Sequence, residues 1–465
     1  MRKKVLSLCM ATIMSVSLFS GCTQNKAKTD DGKIHISIGG NPSERTEANA
    51  AQYDLFQENV KKFTAENPDV EVVPDGWSFD LKNYLTKAAA GDLPTTYFTS
   101  PTEIKTIVKN DYAADMTEIF KKFGFDKELD PKYEKLYKLN GKYYGIVKEG
   151  SLYTMGIAYN VKLFKEAGLT DENGLPIFPK TWEELAETAK IIHDKTGKAG
   201  FMFPSTSNHG GWQFMDILWA YGADMMNEKN GKWTATFASN AGIKALEYIK
   251  DLKWKYGVLQ DETLADISVG LRMLSTNECA MTMVSGTGVL DQAVEKYGLD
   301  VTNVAMSSLP AGPKGAFSQV GASIYLFSGT DKENEAALKW LEFTGTTPQI
   351  SDTRKEQWEK NYQIKKDKKQ VVGVPSLTAW KSEERANVEK ELMDKYRTVD
   401  AKNFANYVNA EGVTFKFEPE RCVQQMYACL DNAIQTVFTD KNADCKAILE
   451  KAQDDFQKNY LDKEN

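Results

Sequence analysis

The sequence contains very little histidine, and its residues fall into none of the common catalytic patterns. Only three of the 465 residues are histidine, and His35, His193 and His209 lie far apart along the chain. They form neither an H-E-x-x-H zinc motif nor a supported catalytic triad. The chain also lacks a G-x-S-x-G nucleophile elbow, a Walker loop and a G-x-G-x-x-G loop. These absences predict a protein that holds no metal and no cofactor and that is not an enzyme.

Cysteine is also scarce, with six residues in the whole chain. None of them forms a C-x-x-C pair, so the chain lacks the spacing of zinc sites and thioredoxin-type centres. Cys9 and Cys22 lie near the amino terminus, and the other four are Cys279, Cys422, Cys429 and Cys445. A disulfide among the last three and buried free thiols are both compatible with the sequence.

The chain has no excess of positive charge. Its formal net charge is −7, and removal of residues 1–21 would take away basic residues but no acidic ones. Nucleic-acid binding depends on clustered lysine and arginine, so no nucleic-acid partner is predicted. The length predicts two domains, and the apolar fraction of 42% is enough for a sizeable core.

The one apolar run that resembles a targeting signal lies at the amino terminus. Residues 2–4 are basic, residues 5–19 are mostly apolar, and small residues follow. This order is typical of a secretory signal peptide, which we predict over residues 1–21. The apolar run is shorter than the roughly 20 residues that a membrane-spanning helix needs.

The segment FSGC that ends at Cys22 resembles the bacterial lipobox, in which the cysteine after the cleavage point receives a lipid. The resemblance implies that Cys22 is acylated and anchors the protein to the extracytoplasmic face of the cell membrane. The alternative is an ordinary secreted protein with an incidental cysteine. Residues 22–32 are polar and lack apolar periodicity, so they are predicted to form a flexible tether.

The remaining chain alternates strand-like and helix-like patterns. Ile34, Ile36 and Ile38 alternate with polar residues, as in a half-buried strand. Later, Thr181 and Glu184 have the spacing of a capping box that opens a helix. Strands that alternate with helices predict an α/β fold with mostly parallel sheets.

Short blocks along nearly the whole chain carry a family resemblance. The chain resembles the extracellular solute-binding proteins of bacterial ABC importers, specifically the sugar-binding group similar to maltose-binding protein. The blocks are residues 63–68 (FTAENP), 88–94 (AAAGDLP), 141–146 (GKYYGI), 157–160 (IAYN), 180–185 (KTWEEL), 242–246 (GIKAL), 279–281 (CAM) and 309–313 (LPAGP).

The resemblance implies a type II periplasmic-binding-protein fold, with two α/β lobes and a ligand cleft that closes between them. The lobes are expected to be discontinuous, with residues 33–148 plus 321–374 in the first and residues 149–320 plus 375–465 in the second. The implied partners are a carbohydrate ligand and the membrane subunits of an ABC transporter. The protein is expected to be a monomer.

A sugar offers apolar faces and many hydroxyls, so its site needs aromatic rings together with carboxylates and amides. In the first lobe, Asn41 and Glu44 follow the first strand, and Thr99 and Thr102 follow a later one. The carboxyl ends of strands are where clefts of α/β proteins lie. Trp77 lies in a turn-rich loop, where it either stacks on ligand or packs beneath the loop.

Family similarity places Glu149 and Tyr153 at the cleft, for hydroxyl pairing and stacking. Trp212 ends a loop that leads into a helix and is the leading stacking candidate of the second lobe. The segment at residues 285–288 (SGTG) often supplies an aromatic in maltose-type relatives but has none here. Trp380 is a candidate to compensate, with ordinary packing as the alternative.

Two other classes of protein stay open at this point. A carbohydrate-active surface enzyme would need two carboxylates flanking the scissile bond, and no pair of acids lies in a recognisable motif. A surface lipoprotein that binds a non-sugar solute would keep the fold and change the ligand. Neither class is distinguished by composition.

Overall fold

The computed structural model describes residues 32–464, apart from the side chains of residues 81 and 82. The predicted signal peptide, Cys22 and the tether up to residue 31 lie outside the described residues. Within the described range, no helix combines the length and apolar character needed to cross a membrane.

The described residues form an α/β protein with many short elements. The strands are β1 (Ile34–Gly39), β2 (Val70–Asp75), β3 (Thr96–Thr99), β4 (Lys138–Leu139), β5 (Lys142–Tyr143), β6 (Gly145–Val147), β7 (Ser151–Asn160), β8 (Met226–Lys229), β9 (Lys232–Ala235), β10 (Met281–Ser285), β11 (Val304–Ser308), β12 (Ala316–Gly321), β13 (Ile324–Phe327), β14 (Leu377–Thr378) and β15 (Val413–Lys416).

The helices are α1 (Ala50–Glu66), α2 (Leu81–Ala89), α3 (Ile104–Lys109), α4 (Thr117–Phe123), α5 (Phe125–Glu128), α6 (Val161–Glu166), α7 (Trp182–Thr196), α8 (His209–Tyr221), α9 (Asn240–Trp254), α10 (Ile267–Ser275), α11 (Gly288–Tyr297), α12 (Asp331–Thr344), α13 (Asp352–Asp367), α14 (Glu383–Lys395), α15 (Ala405–Asn409), α16 (Val423–Thr439), α17 (Cys445–Phe456) and α18 (Asp462–Glu464).

The first sheet has the strand order β2-β1-β3-β13-β6. Strand β1 is parallel to β2 and β3, and β13 is antiparallel to its two neighbours. Ile36 and Ile38 are buried, which confirms the strand predicted from the alternation of isoleucines. On one side, Phe63 of α1 packs edge to face against Trp340 of α12, with ring centroids 5.3 Å apart. We call the part built on this sheet the first lobe.

The second sheet is organised around the long strand β7. Strands β10 and β11 are antiparallel to β7 and pair with its carboxyl-terminal half, whereas β12 and β14 are antiparallel to it nearer its start. Helices α7, α8, α9, α16 and α17 cover one face and share one large hydrophobic core. A smaller core on the other side contains Val371, Val374 and Phe404. We call the part built on this sheet the second lobe.

Local sequence signals explain where individual helices begin and end. Thr181 accepts a hydrogen bond from the Glu184 backbone N–H at 3.1 Å, so it is the predicted N-cap of α7. The Glu184 carboxylate reaches back to the Lys180 backbone N–H at 2.7 Å, one residue earlier than in an ideal capping box. Gly197 ends the helix with a φ of 68°, a left-handed conformation that favours glycine.

The chain crosses between the lobes at residues 147–151 and 321–324, and again near β14. Around the last crossing, Ala379 and Trp380 pack in the core of the first lobe, although the sequence analysis assigned residues 375–465 to the second. The full set of lobe boundaries stays a prediction. The sequence left open a disulfide or free thiols. The four cysteines within the described range are free thiols in the structure.

Candidate functional site

The ends of the two sheets come together at the crossing segments. Thr99 at the end of β3 pairs with Ile324 at the start of β13, and Ile324 also pairs with Val147. In the second lobe, Gly321 at the end of β12 pairs with Tyr153 near the start of β7. The crossing segments therefore form a common floor between the lobes.

Two cavities lie at this junction, with volumes of about 580 and 460 Å³. Both volumes fall in the range of roughly 300–1,000 Å³ that is usual for ligand pockets. The lining of the larger cavity includes Lys148, Glu149, Tyr153, Gly286, Tyr362 and Arg385. The smaller cavity is lined from the first lobe by Thr102, Ile104 and Leu136 and from the second by Trp219, Phe417 and Glu418.

Tyr153 and Trp212, both predicted from sequence, are brought together. Their rings meet edge to face, with centroids 6.3 Å apart and planes inclined by 79°. Tyr153 can occupy this position because glycines lie beneath it: a Cβ at Gly321 would be 2.2 Å from its hydroxyl oxygen, and one at Gly286 would be 3.3 Å from its Cβ. Both rings are half-buried, and Tyr153 lines the larger cavity.

Two carboxyl groups that the sequence analysis missed, one from each lobe, approach each other beside the smaller cavity, which Glu418 lines. Glu103 is 7% exposed and accepts a hydrogen bond from the Thr102 hydroxyl at 3.3 Å. Across the junction, Glu418 accepts a 2.6 Å hydrogen bond from the Tyr427 hydroxyl. Burial raises the pKa of Glu418 to about 7, and the charge of Glu103 adds to the rise. The two carboxyls therefore lie close enough to repel each other when both are ionised.

Thr102, a predicted site residue, contacts the second lobe directly. Its hydroxyl oxygen accepts a hydrogen bond from Gln424 Nε2 of α16 at 3.4 Å. Glu103 could have been predicted as a site residue only because it follows Thr102 directly in the sequence. Glu418 and Gln424 carry no local signal, because their position depends on how α16 packs against α8.

Behind the aromatic pair lies a further buried carboxyl, that of Asp216 on α8. It accepts hydrogen bonds from the Gln319 backbone N–H at 2.8 Å and from Gln319 Nε2 at 2.9 Å. Burial raises the pKa of Asp216 to about 8. Burial also raises the pKa of Tyr153, and the charges of Glu418 and Asp216 raise it further. The tyrosine hydroxyl therefore stays protonated and able to donate a hydrogen bond.

Lys148 supplies a cation to the larger cavity. Its ammonium lies over the Phe98 ring, 4.6 Å from the centroid, and forms no ion pair within residues 32–464. The charge of the Tyr325 hydroxyl, when ionised, raises the pKa of Lys148, and burial opposes the rise. The next residue, Glu149, was predicted from family similarity and also lines this cavity, with an exposed side chain.

The predicted residues after β1 and at the end of β3 lie near the floor but differ in burial and in hydrogen bonding. Asn41 is half-buried and donates its side-chain amide to the Ile38 and Gly39 carbonyl oxygens at 3.4 and 3.2 Å, so its donors serve its own turn. Glu44 is exposed. Thr99 is 4% exposed, and its hydroxyl finds no hydrogen-bond partner in the described part of the chain. An unpaired buried hydroxyl at the end of a strand is unusual, but Thr99 is not among the residues that line either cavity.

Trp77 and Trp380 pack within the first lobe. Trp77 is half-buried and lies 5.5 Å from the Tyr97 ring, which corresponds to the packing alternative for that residue. Trp380 is 3% exposed and packs edge to face on Phe125 at 5.8 Å. Trp380 therefore presents no face to a ligand, which corrects its selection as a stacking residue.

Comparisons with known proteins agree with this architecture. Residues 47–349 match the family model of the bacterial extracellular solute-binding proteins. The sn-glycerol-3-phosphate-binding periplasmic protein UgpB of Escherichia coli K12 is 26% identical over 360 residues, which cover 68% of this chain and 77% of that protein.

Two solved structures show the same two-lobed type II fold. One is an ABC substrate-binding protein from Listeria monocytogenes in complex with cycloalternan, with a TM-score of 0.67 and 17% identity, covering 92% of this chain and 99% of the other. The second is UgpB from Mycobacterium tuberculosis in complex with glycerophosphocholine, with a TM-score of 0.66 and 16% identity, covering 93% and 100%.

Proposed function

Because this chain belongs to the bacterial extracellular solute-binding proteins, we propose that it captures a carbohydrate, an oligosaccharide, between its two lobes. The observation that carries the proposal is the combination of the Tyr153–Trp212 pair with the facing carboxyls of Glu103 and Glu418. Aromatic rings stack on the apolar faces of a sugar, and carboxyls pair with its hydroxyls.

The carboxyl pair favours a neutral ligand at its own position. Glu103 and Glu418 approach each other from opposite lobes, so an anion placed between them would meet two acidic groups. Sugar hydroxyls, in contrast, donate to ionised carboxyls and accept from protonated ones. The volume of the larger cavity, about 580 Å³, supports a ligand longer than one sugar ring.

A phosphate-bearing polyol is the second candidate ligand. Lys148 has no carboxylate partner within the described residues, and Lys365 and Arg385 line the same cavity. The E. coli relative is named for binding sn-glycerol 3-phosphate. This alternative would place the phosphate in the larger cavity and the polyol toward Tyr153.

Thermal unfolding in the presence of candidate ligands separates these proposals. A ligand that binds only the folded state stabilises it by about 2.7 kcal/mol at a hundredfold excess over Kd. The panel contains maltotriose, other neutral oligosaccharides, monosaccharides, sn-glycerol 3-phosphate and glycerophosphocholine. A shift with neutral sugars that Trp212→Ala abolishes supports the carbohydrate ligand. A shift with phosphate esters alone, abolished by Lys148→Met, would replace it with the second candidate.

We further propose that the protein is a monomer that hands its ligand to the membrane subunits of an ABC importer and does not alter it chemically. Family membership supports this role. Incubation of the purified protein with a bound sugar should leave the sugar unchanged by mass spectrometry. The appearance of hydrolysed or transferred sugar products during incubation, through an activity that copurifies with the wild-type protein, would contradict the proposal.

The location of the protein is a separate proposal. A signal peptide over residues 1–21 and acylation of Cys22 would tether the lobes to the outer face of the cell membrane. In a bacterial host that processes lipoproteins, the wild-type protein should fractionate with membranes, whereas Cys22→Ser should be released. Equal release of both proteins would indicate simple secretion.

A further inference from the structure

Glu149 adopts a backbone conformation that a non-glycine residue rarely takes. Its φ and ψ are 55° and 10°, in the left-handed region, at the point where the chain crosses from the first lobe to the second. A side chain in this region carries a conformational cost, which persists only where the surroundings enforce the conformation. Such residues cluster at ligand sites.

Arg385 of α14 is the main group that holds this backbone. Its Nη2 donates to the Glu149 carbonyl oxygen at 2.7 Å, and its Nη1 donates to the Thr347 carbonyl oxygen, also at 2.7 Å. From the other side, the Glu149 backbone N–H donates to the Thr346 hydroxyl at 3.1 Å. The peptide groups on both sides of Glu149 are therefore fixed by residues distant in sequence.

Arg385 is itself held rigidly. It is 3% exposed, and its guanidinium carbon lies 4.7 Å from the centre of the Trp358 ring. It forms no ion pair with any carboxylate among the described residues. A buried guanidinium is costly unless its donors are used. Both terminal nitrogens of Arg385 donate to main-chain oxygens beside the crossing segment, whereas its Nε has no partner among the described residues.

The side chain of Glu149 is free to meet a ligand. It is exposed and lines the larger cavity together with Lys148 and Tyr153. Its carboxylate accepts no hydrogen bond from another described residue. A carboxylate with open acceptor positions in a ligand cavity is suited to pair with hydroxyl groups.

We infer that Arg385 is a positioning residue of the ligand site, which locks the Glu149 backbone in its left-handed conformation so that the carboxylate faces the cavity and accepts hydrogen bonds from ligand hydroxyls. The inference rests on the proposed function. Arg385 lies on α14, outside the two sheets, and in this role it contributes to the specificity of the site for hydroxyl-rich ligands.

The test uses a double-mutant cycle on the full chain, with maltotriose and sn-glycerol 3-phosphate as calorimetric probes. Arg385→Met and Glu149→Gly should each weaken binding of the hydroxyl-rich probe by about tenfold, the loss expected for one charged hydrogen bond. The double variant should be no weaker than Glu149→Gly alone, because Arg385 acts through Glu149. Additive losses would overturn the inference.

Arg397→Met is the matched control. Arg397 also donates to a main-chain oxygen, that of Gly373 at 2.9 Å, but does not contact Glu149. It should leave probe affinity within about twofold of the wild type. An equal loss of affinity in this variant would show that removal of a backbone-binding arginine, not the position of Glu149, causes the effect.

Two readouts need no ligand and separate this inference from the proposed function. A crystal structure of Arg385→Met should show Glu149 outside the left-handed region; an unchanged φ would overturn the inference. Glu149→Gly should also restore the melting temperature that Arg385→Met lowers, because glycine accepts a positive φ. If neither probe binds the wild type but both readouts come out as expected, the ligand proposal fails and the positioning role stands.

Discussion

Tyr153 of β7 and Trp212 of α8 meet edge to face, with ring centroids 6.3 Å apart and planes inclined by 79°. The contact fixes the orientation of both rings before any ligand enters. Trp212 is fixed further by its backbone, whose carbonyl oxygen accepts a hydrogen bond from Gln319 Nε2 at 3.2 Å. A preformed aromatic corner loses little conformational entropy on binding.

Replacing Trp212 with alanine should remove this corner. We expect a loss of about 2 kcal/mol, or roughly thirtyfold in Kd for the carbohydrate, measured by calorimetry. The control is Trp254→Ala, which removes a partly exposed tryptophan on α9 whose ring does not contact Tyr153. Similar affinity losses in both variants would mean that tryptophan removal acts through general destabilisation.

Gly321 should be required for the position of Tyr153. In Gly321→Ala the new Cβ would lie 2.2 Å from the tyrosine Cζ and hydroxyl oxygen, so the ring must move out of the cleft. We expect destabilisation by about 1–3 kcal/mol, measured by urea denaturation, together with weaker ligand binding. Gly288→Ala is the matched control, because Gly288 lines the same cavity but has open space around its Cβ position.

A second substitution checks the cause of the Gly321→Ala defect. Adding Tyr153→Ser removes the ring that the new methyl group meets, so the double variant should recover part of the lost stability. If the two substitutions destabilise additively, Gly321 is needed for its own backbone and not for Tyr153.

The cysteines should not contribute to stability through a disulfide. The four thiols within residues 32–464 are unpaired, and Cys279 and Cys445 are buried. Burial raises the pKa of Cys279 to about 12, so it should be unreactive in the folded protein. Reducing agent should leave the melting temperature unchanged, and all four thiols should react with Ellman's reagent after unfolding. A lower melting temperature in reductant would reveal a disulfide.

Much of the fold was predictable because its signals are local. The alternation of Ile34, Ile36 and Ile38 marks a strand with one buried side, and Thr181 marks the start of α7. Trp212 could also be selected, because it lies where a polar loop passes into α8. These patterns depend on neighbours within a few residues.

The carboxyl side of the cleft was not predictable for the opposite reason. Glu103 lies in the first lobe, whereas Glu418 follows β15, which pairs with β12 of the second sheet, so only long-range packing brings the two carboxyls together. Trp380 failed as a candidate on the same grounds, because its ring is buried by Phe125 and by the close approach of Gly150. Long-range packing determines whether such a side chain faces a cleft or a core.

Stability should fall as the pH rises through the range in which the buried carboxyls titrate. Burial raises the pKa of Asp216 from 3.8 to about 8 and that of Glu418 from 4.5 to about 7. Between the unfolded and folded pKa values, the folded protein therefore holds more protons than the unfolded chain. The free energy of unfolding decreases with pH wherever the folded state binds more protons. The contribution of these groups is present below about pH 4 and is lost by about pH 8.

We therefore expect the melting temperature of the ligand-free protein to decline between pH 5 and pH 8. The double variant Asp216→Asn, Glu418→Gln should flatten this decline, with a gain of roughly 3 °C over the wild type at pH 8. Asn and Gln keep the size of the acids and one of the two acceptor oxygens, and they remove the cost of ionising a carboxyl in a buried position. Scanning calorimetry in one buffer series checks the slope, with Asp224→Asn on the exposed surface as the control. An equally steep decline in the double variant would assign the pH dependence to other groups. Burial also raises the pKa values of Glu103 and Asp431, so these two acids are the next to replace.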